Sequence, residues 1–186
     1  MLKSKSSDKA SEKIYILSEN GAISGLKERQ YVHENSILHS VVQCWVMNED
    51  ENVLIQRRAP TKDKSAGKWD VSFGGHCTEI NNIDNILIDN VIKEGKEELG
   101  LDICSQDLIK LGEARYNSQE NKNREIIGVF LLKVGNNQKF IFADGEVTEV
   151  RWIKPKDLHD NIKTNSEEYA NRLVAIAILL EYLENA

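Results

Sequence analysis

Cysteine is scarce in this sequence of 186 residues, and Cys44, Cys77 and Cys104 include no C-x-x-C pair. An odd number of cysteines at this low density excludes a disulfide scaffold. Disulfide-poor chains of this kind are typical of reducing compartments, so we expect a cytoplasmic protein.

An apolar segment is also absent from residues 1–12, which carry charged and small polar side chains. Their composition excludes a secretory signal or a membrane span in that stretch. We therefore expect a flexible N-terminal tail over residues 1–12, and no membrane partner.

Positive charge is not in excess, because the formal net charge is -6 at pH 7. This balance gives no broad basic surface for a nucleic-acid backbone, so we expect no nucleic-acid polymer as a partner. The hydrophobic content of 40% is ordinary for a soluble domain, and we find no internal repeat. The length suits one compact domain over residues 13–186.

Apolar residues recur with strand-like patterns in several segments bounded by turn residues. The predicted strands are 14–17, 41–47, 53–57, 69–73, 108–115, 126–134 and 147–153. The Asn20-Gly21 turn predicts a hairpin near the N-terminus. Together with the helices below, this pattern predicts an α/β or α+β sandwich, with a mixed β-sheet between helices.

Helical patterns separate and follow these strands. Asp84 is a natural N-cap for a helix that begins near Ile83 and ends at Leu99-Gly100. Pro155 predicts a short turn or helix over 156–158. Ser166 is expected to cap a final helix over 167–183. The apolar stripe of this last helix could pack on its own sheet or on a second copy of the chain, which leaves a homodimer open.

Glu94, Glu97 and Glu98 have the spacing that gathers carboxylates on one side of a helix. A solvated helix face with interleaved lysines would have the same pattern. However, a strand ending at Gly74-Gly75 precedes this helix, and its backbone carbonyls add oxygen donors. Because Mg²⁺ and Mn²⁺ prefer oxygen ligands, the segment predicts a metal site that includes the Gly74 carbonyl.

Five cations lie in the segment before the glycines. They are Arg57, Arg58, Lys62, Lys64 and Lys68. Each could simply be a solvated loop residue. As a group beside carboxylates in an acidic chain, they are suited to bind the oxygens of a diphosphate, above all the planar guanidinium groups. Only one of two neighbouring strand residues can face such a site, so Arg57 and Arg58 are alternatives.

The run Lys93-Glu94-Gly95-Lys96-Glu97-Glu98-Leu99-Gly100-Leu101 resembles the second half of the Nudix box, G-x5-E-x7-R-E-U-x-E-E-x-G-U. Lys93 stands for the arginine and Gly95 for the aliphatic residue. In the first half, Asn85 stands at the first glutamate and Gly75 lies four residues too far upstream. Glu79 or Asp84 could substitute through the longer loop.

Further motifs resemble the Nudix branch that contains type I isopentenyl-diphosphate isomerase and its hydrolase relatives. They are 32–33, 38–39, 56–62, 67–72 and 74–76. The resemblance implies a second metal site at His33, His39, His76 and Glu125, with Asn123 at the position of another glutamate. Each histidine could equally be a hydrogen-bonded structural residue.

One departure from the isomerases is chemical. The resemblance places their cysteine at Gly74, so isomerisation lacks a partner for proton transfer. Cys77 follows the glycines and is expected to be a structural thiol.

The resemblance therefore implies a hydrolase that uses Mg²⁺ or Mn²⁺ to cleave a small-molecule diphosphate, such as a nucleoside diphosphate derivative. Glu97 and Glu98 would hold metal, and Glu94 would either orient or deprotonate a water or be a further ligand. Lys93 would pair with Glu97. Two alternatives are an isomerase and a Nudix-fold binding module without turnover. Glu146 and Glu149 lie where relatives place another carboxylate, although a surface role is favoured.

Overall fold

A computed structural model describes residues 11–62, 64–80, 85–142 and 145–186. The secondary-structure elements in these residues are β1 (Lys13–Leu17), β2 (Ile23–Glu28), α1 (Arg29–Glu34), β3 (Leu38–Met47), β4 (Val53–Arg58), β5 (Trp69–Asp70), β6 (Phe73–His76), α2 (Ile86–Leu99), β7 (Leu108–Ser118), β8 (Asn123–Lys133), β9 (Val147–Ile153), α3 (Pro155–Thr164) and α4 (Leu173–Asn185). A short 3₁₀ turn, Ser105–Asp107, precedes β7.

Strand β3 is the centre of a mixed sheet, and all ten of its residues are buried. It pairs in parallel with β8 and antiparallel with β1, β4 and β6. Strand β7 pairs with β8, and β9 pairs with β4. Because β3 is covered on both faces, its sequence is mostly apolar and does not alternate between apolar and polar residues.

Two hydrophobic layers lie on opposite faces of this sheet. Val41 and Trp45 of β3 pack with Ile176 and Leu179 of α4 in one layer. Val42 and Val46 pack in the other layer, which contains Val91 and Leu99 of α2. Alternate residues of one strand thus serve two layers, as the two-residue period requires. The predicted sandwich, with a mixed sheet between helices, is confirmed.

The predicted N-terminal hairpin is confirmed as β1 paired with β2. Helix α2 ends as expected, because Gly100 adopts a left-handed conformation with φ of 69° after Leu99. Its start was expected at Ile83, with Asp84 as N-cap, and both residues lie outside the described ranges. In the structure, Asn85 occupies the N-cap position.

Two helix predictions near the C-terminus are wrong in extent. Helix α3 spans Pro155–Thr164, longer than the short turn or helix expected over 156–158. The final helix begins at Leu173 instead of residue 167, and Arg172 occupies its N-cap position. Before it, residues 166–168 form a turn, and Tyr169 makes an isolated parallel bridge with Trp69 of β5. Trp69 N–H donates to the Glu168 carbonyl, and Ala170 N–H donates to the Trp69 carbonyl, so the helix does not extend back over these residues.

No helix in the described part of the chain is long and apolar enough to cross a membrane.

Candidate active site

A groove of about 2040 Å³ opens where strands β3 and β4 separate. The two strands share one register pair, Met47 with Val53, at their turn, and β6 pairs with β3 beyond it. Gln43 of β3 and Gln56 of β4 therefore both line the opening. Helix α2 closes one side with its acidic residues.

The three glutamates of α2 all line this groove but differ in exposure. Glu94 and Glu98 are buried, at 8% and 3% exposure, whereas the Glu97 side chain is 45% exposed. Gln56 Nε2 donates a hydrogen bond of 2.6 Å to Glu98 Oε2, which fixes the orientation of that carboxylate. Burying carboxylates is costly unless they are compensated, so this pair is suited to hold a cation.

The glycines of β6 let the strand approach the carboxylates closely. A Cβ atom added to Gly75 would lie 2.5 Å from Glu94 Oε2, and one added to Gly74 would lie 2.4 Å from the Val42 carbonyl oxygen. Both glycines line the groove. Side chains at these two positions would displace either the carboxylate or the backbone of β3.

Lys93 lies over the same carboxylates. Its Nζ is 3.3 Å from Glu94 Oε1 and 3.6 Å from Glu97 Oε2, so the expected pairing with Glu97 occurs and extends to Glu94. Glu12 lies 3.7 Å away. Burial would lower the pKa of Lys93, but Glu94 and Glu97 raise it above its usual value. The ammonium therefore stays charged at the edge of the site.

The predicted cations separate into two groups. Arg58, Lys62, Lys64 and Lys68 line the groove. The Arg57 guanidinium instead lies over the Trp69 ring, 5.5 Å from its centroid. Lys62 Nζ contacts the Glu146 carboxylate.

Three histidines from distant segments converge beside the glycines. His33 lies on α1, His39 on β3 and His76 at the end of β6, and their ligand atoms are all within 4.8 Å of one another. His33 Nε2 and His76 Nε2 are 3.1 Å apart. Glu125 lies opposite His39 in the parallel pairing of β3 with β8, with Oε1 3.8 Å from His39 Nε2.

The chemistry of this histidine cluster suits a metal ion. His39 Nδ1 donates to the Ile37 carbonyl over 2.8 Å, so its Nε2 carries the lone pair. In the described part of the chain, that buried Nε2 has no hydrogen-bond partner. Burial, with a further contribution from Lys64, lowers the pKa of His33 to about 4. Burial also lowers the pKa of His39 and of His76, so neutral imidazoles face each other.

The remaining predicted residues have distinct surroundings. Asn123 Nδ2 donates to Glu125 Oε1 over 2.6 Å, so an amide stands beside the histidines. Cys77 is buried and accepts a hydrogen bond from the Ser40 hydroxyl, and burial raises its pKa to about 12, as suits a structural thiol. Glu79 and Glu149 are exposed, and Asp84 lies outside the described residues.

Sequence reasoning missed Asp70 and Arg172, which line the groove, and assigned no role to Gln56. Gln56 and Asp70 belong to the motifs 56–62 and 67–72, but no nearby residue indicated which side chains they would bond. Arg172 reaches the groove only because the segment before α4 pairs with β5, a long-range contact that local periodicity does not encode.

Comparison with known proteins identifies the family of the domain that carries this site. The family model described as the NUDIX domain matches residues 37–173. An uncharacterized Nudix hydrolase of Clostridium acetobutylicum is 31% identical over 121 residues, which cover 62% of this chain and 56% of that protein. The isopentenyl-diphosphate Delta-isomerase of Kocuria rhizophila is 29% identical over 151 residues, which cover 79% of this chain and 80% of that enzyme.

Solved structures show the same fold. DR0079 from Deinococcus radiodurans superposes with a TM-score of 0.70 at 21% identity, over 90% of this chain and 97% of that one. The NUDIX domain of Shewanella oneidensis NrtR, crystallised with ADP ribose, has a TM-score of 0.58 at 18% identity, over 77% of this chain and 87% of that one.

Proposed function

Because the chain belongs to the Nudix domain family, we propose that it is a metal-dependent hydrolase of a diphosphate linkage. The substrate is a small molecule, either a nucleoside diphosphate derivative or a related organic diphosphate. The NrtR domain, whose structure contains ADP ribose, supports the first class. The three free cysteines are consistent with the cytoplasmic location that we also propose.

One observation carries this proposal. Two buried carboxylates, Glu94 and Glu98, lie on the same groove as Arg58 and Lys62. Carboxylates alone would repel a diphosphate, and cations alone would bind it without activating water. Their combination suits an anionic substrate that is held partly by cations of the chain and partly by metal.

The residues present fit Mg²⁺ or Mn²⁺, since Glu94, Glu97 and Glu98 offer the oxygen donors that these cations prefer. The Gly74 carbonyl is the fourth proposed ligand. When bound, a divalent cation would neutralise the diphosphate and lower the pKa of a coordinated water.

The chain itself would bind, orient and accept a proton. Arg58 and Lys62 would hold phosphoryl oxygens, with Lys62 exchanging its Glu146 partner for substrate. Water attacks one phosphorus, the bond from that phosphorus to the bridging oxygen breaks, and the second phosphoryl group leaves with the oxygen. Glu94 would either orient or deprotonate the water, or serve as a further ligand. Gln56 keeps Glu98 in place.

The second candidate function is isopentenyl-diphosphate isomerisation. The assembled cluster of His33, His39, His76 and Glu125 favours it, as does the likeness to the Kocuria isomerase. Gly74 opposes it, because a glycine carries no group for proton transfer where the resemblance places a cysteine. Hydrolysis needs no group at that position beyond the backbone.

The test is ³¹P NMR of the protein with Mg²⁺ and a panel of nucleotide sugars, dinucleotides, nucleoside triphosphates and prenyl diphosphates. We expect new phosphate resonances from one substrate class of the panel. Glu98→Gln should lower turnover roughly 10²-fold or more, equivalent to about 3 kcal/mol of transition-state stabilisation. Glu113→Gln, on the exposed side of β7, is the matched control.

Two outcomes would contradict this function. Proton spectra that show a shifted prenyl double bond, with the diphosphate intact, would establish the isomerase. Binding of a nucleotide without any turnover would instead indicate a Nudix-fold binding module.

A further inference from the structure

A buried aspartate beside the groove holds two arginines at once. The Asp70 side chain is 1% exposed. Arg172 donates to it from Nε over 2.6 Å and from Nη2 over 2.9 Å, and Arg58 donates from Nη1 over 3.2 Å. Burial alone would raise the pKa of Asp70, but the Arg172 and Arg58 guanidinium groups hold it below its usual value.

Asp70, Arg58 and Arg172 form a triad with a net positive charge. One carboxylate compensates one guanidinium, so the triad of Arg58, Asp70 and Arg172 keeps one positive charge. The arginine side chains are only 16% and 28% exposed, which weakens compensation by water. Burial would lower the pKa of Arg172, but Asp70, and to a smaller extent Glu125, raise it. The excess charge is therefore permanent.

The triad also presents unused donors to the groove. A guanidinium has five N–H donors, and Arg172 spends one edge on Asp70. Arg58 spends Nη1 on Asp70 and Nε on the Lys64 carbonyl. Both side chains line the groove. Their remaining N–H groups match the planar, multidentate geometry in which arginine binds phosphate.

The triad is connected through the sheet to the carboxylates of α2. Asp70 lies directly opposite Gln56 in the pairing of β4 with β5, and Gln56 bonds Glu98. Neighbouring strands are about 4.8 Å apart, so the residues that hold the arginines and the Glu98 carboxylate, Asp70 and Gln56, lie side by side in the sheet. A diphosphate with one phosphoryl group at Glu98 could place its other group at the arginines.

We infer that Arg58 and Arg172 form an anion subsite for a phosphoryl group of the substrate, with Asp70 as the residue that positions both guanidinium groups. Arg172 is the new binding residue in this assignment. This assignment rests on the proposed function in one respect, namely that the bound phosphoryl group belongs to a diphosphate that the protein hydrolyses. Binding of the anion itself needs no turnover.

The experiment measures the affinity of the full chain for inorganic pyrophosphate by isothermal titration calorimetry. It is done once with EDTA and once with Mg²⁺. Arg172→Gln and Arg58→Gln should each weaken binding about 10-fold or more, as loss of a charge-assisted bidentate contact does. Arg124→Gln is the matched control, since Arg124 also pairs with a carboxylate, Glu19, but away from the groove. Its affinity should stay within about twofold.

Asp70→Asn separates positioning from simple charge. This change adds one unit of positive charge to the groove, so a purely electrostatic site would bind pyrophosphate more tightly. A positioning role predicts weaker binding despite the added charge, because the guanidinium groups of Arg58 and Arg172 lose the carboxylate that both of them bond. Tighter binding by folded Asp70→Asn would therefore overturn the role of Asp70.

Arg172→Lys covers the case in which Arg172→Gln does not fold. Its compact ammonium lacks the planar fork with which arginine would contact Asp70 and the anion in fixed geometry, so we expect a loss of at least about threefold. Pyrophosphate affinity that does not depend on residue 172, with EDTA and with Mg²⁺, would overturn the subsite. Turnover with Mg²⁺ is scored separately, so an inactive protein that still binds through Arg172 would refute only the hydrolase.

Discussion

Asp70 gives the protein a pH-dependent stability that can be measured at one residue. Its pKa is below its usual value in the folded state, since Arg172 and Arg58 outweigh the effect of burial. The unfolded chain therefore binds the proton first as the pH falls below about 4, and folded stability is lost there. Above that range the ionised carboxylate contributes its full stabilisation.

We therefore expect Asp70→Asn to lower the free energy of unfolding by about 3 kcal/mol near pH 6, because it leaves buried arginines without their partner. The difference from the wild type should narrow as the pH falls below about 4. Urea unfolding followed by circular dichroism at pH 6, 5, 4 and 3 measures this. A difference that stays constant over the series would show that folding does not lower the pKa of Asp70.

Single residues also show which features of the site the sequence could predict and which it could not. The spacing of Glu94, Glu97 and Glu98 correctly predicted three carboxylates at one site, because helix geometry is local. It could not predict that Glu97 would be the exposed member, since exposure depends on where Gln56 and β6 pack. Gly95 stands at the aliphatic position of the box, and a Cβ there would lie 2.5 Å from Ile103 Cδ1.

At the scale of elements, the approach of β6 to α2 sets the position of Glu94. Gly75→Ala would place a methyl group 2.5 Å from the Glu94 carboxylate, and that side chain must move. We expect roughly 10-fold weaker Mn²⁺ binding with little change in fold, as displaced metal-site residues typically show. Titration of Mn²⁺ by electron paramagnetic resonance provides the measurement.

Gly112→Ala is the control for that change, because its added Cβ would lie at an ordinary contact distance of 3.5 Å from Ile178. If Gly75→Ala bound Mn²⁺ as tightly as Gly112→Ala, Glu94 would not be a ligand.

The final helix shows what separates predictable elements from the others. Of its expected apolar stripe, Ile176 is fully buried and Leu173, Leu180 and Leu183 pack on the core, whereas Ala177 is exposed. Its start was placed at residue 167, on the strength of Ser166. The structure keeps residues 168–170 out of the helix, because Trp69 supplies a backbone acceptor and a backbone donor from across the molecule. A capping signal acts within one turn, whereas strand pairing is decided by the whole fold.

For the molecule as a whole, the histidine cluster brings together side chains from three distant segments of the chain. If His33, His39 and His76 hold a metal, Zn²⁺, which imidazole ligands suit, should stabilise the folded protein by about 2.7 kcal/mol at a hundredfold excess over Kd. Thermal unfolding with and without added metal gives the shift in Tm.

His39→Gln should remove most of this shift, whereas His159→Gln should leave it unchanged, since His159 lies beside Asp160 on α3. Equal shifts in the two variants would exclude the cluster as the site of stabilisation.

The parallel pairing of β3 with β8 has a further consequence during synthesis. His39 meets Glu125 only after the chain between them has been made, and until then one edge of the wholly buried β3 is uncovered. Such long-range parallel pairing forms slowly, and an uncovered apolar strand edge favours association with other chains. Residues through Lys133 must therefore be synthesised before β3 is fully paired, and until then the nascent chain is prone to associate with other chains.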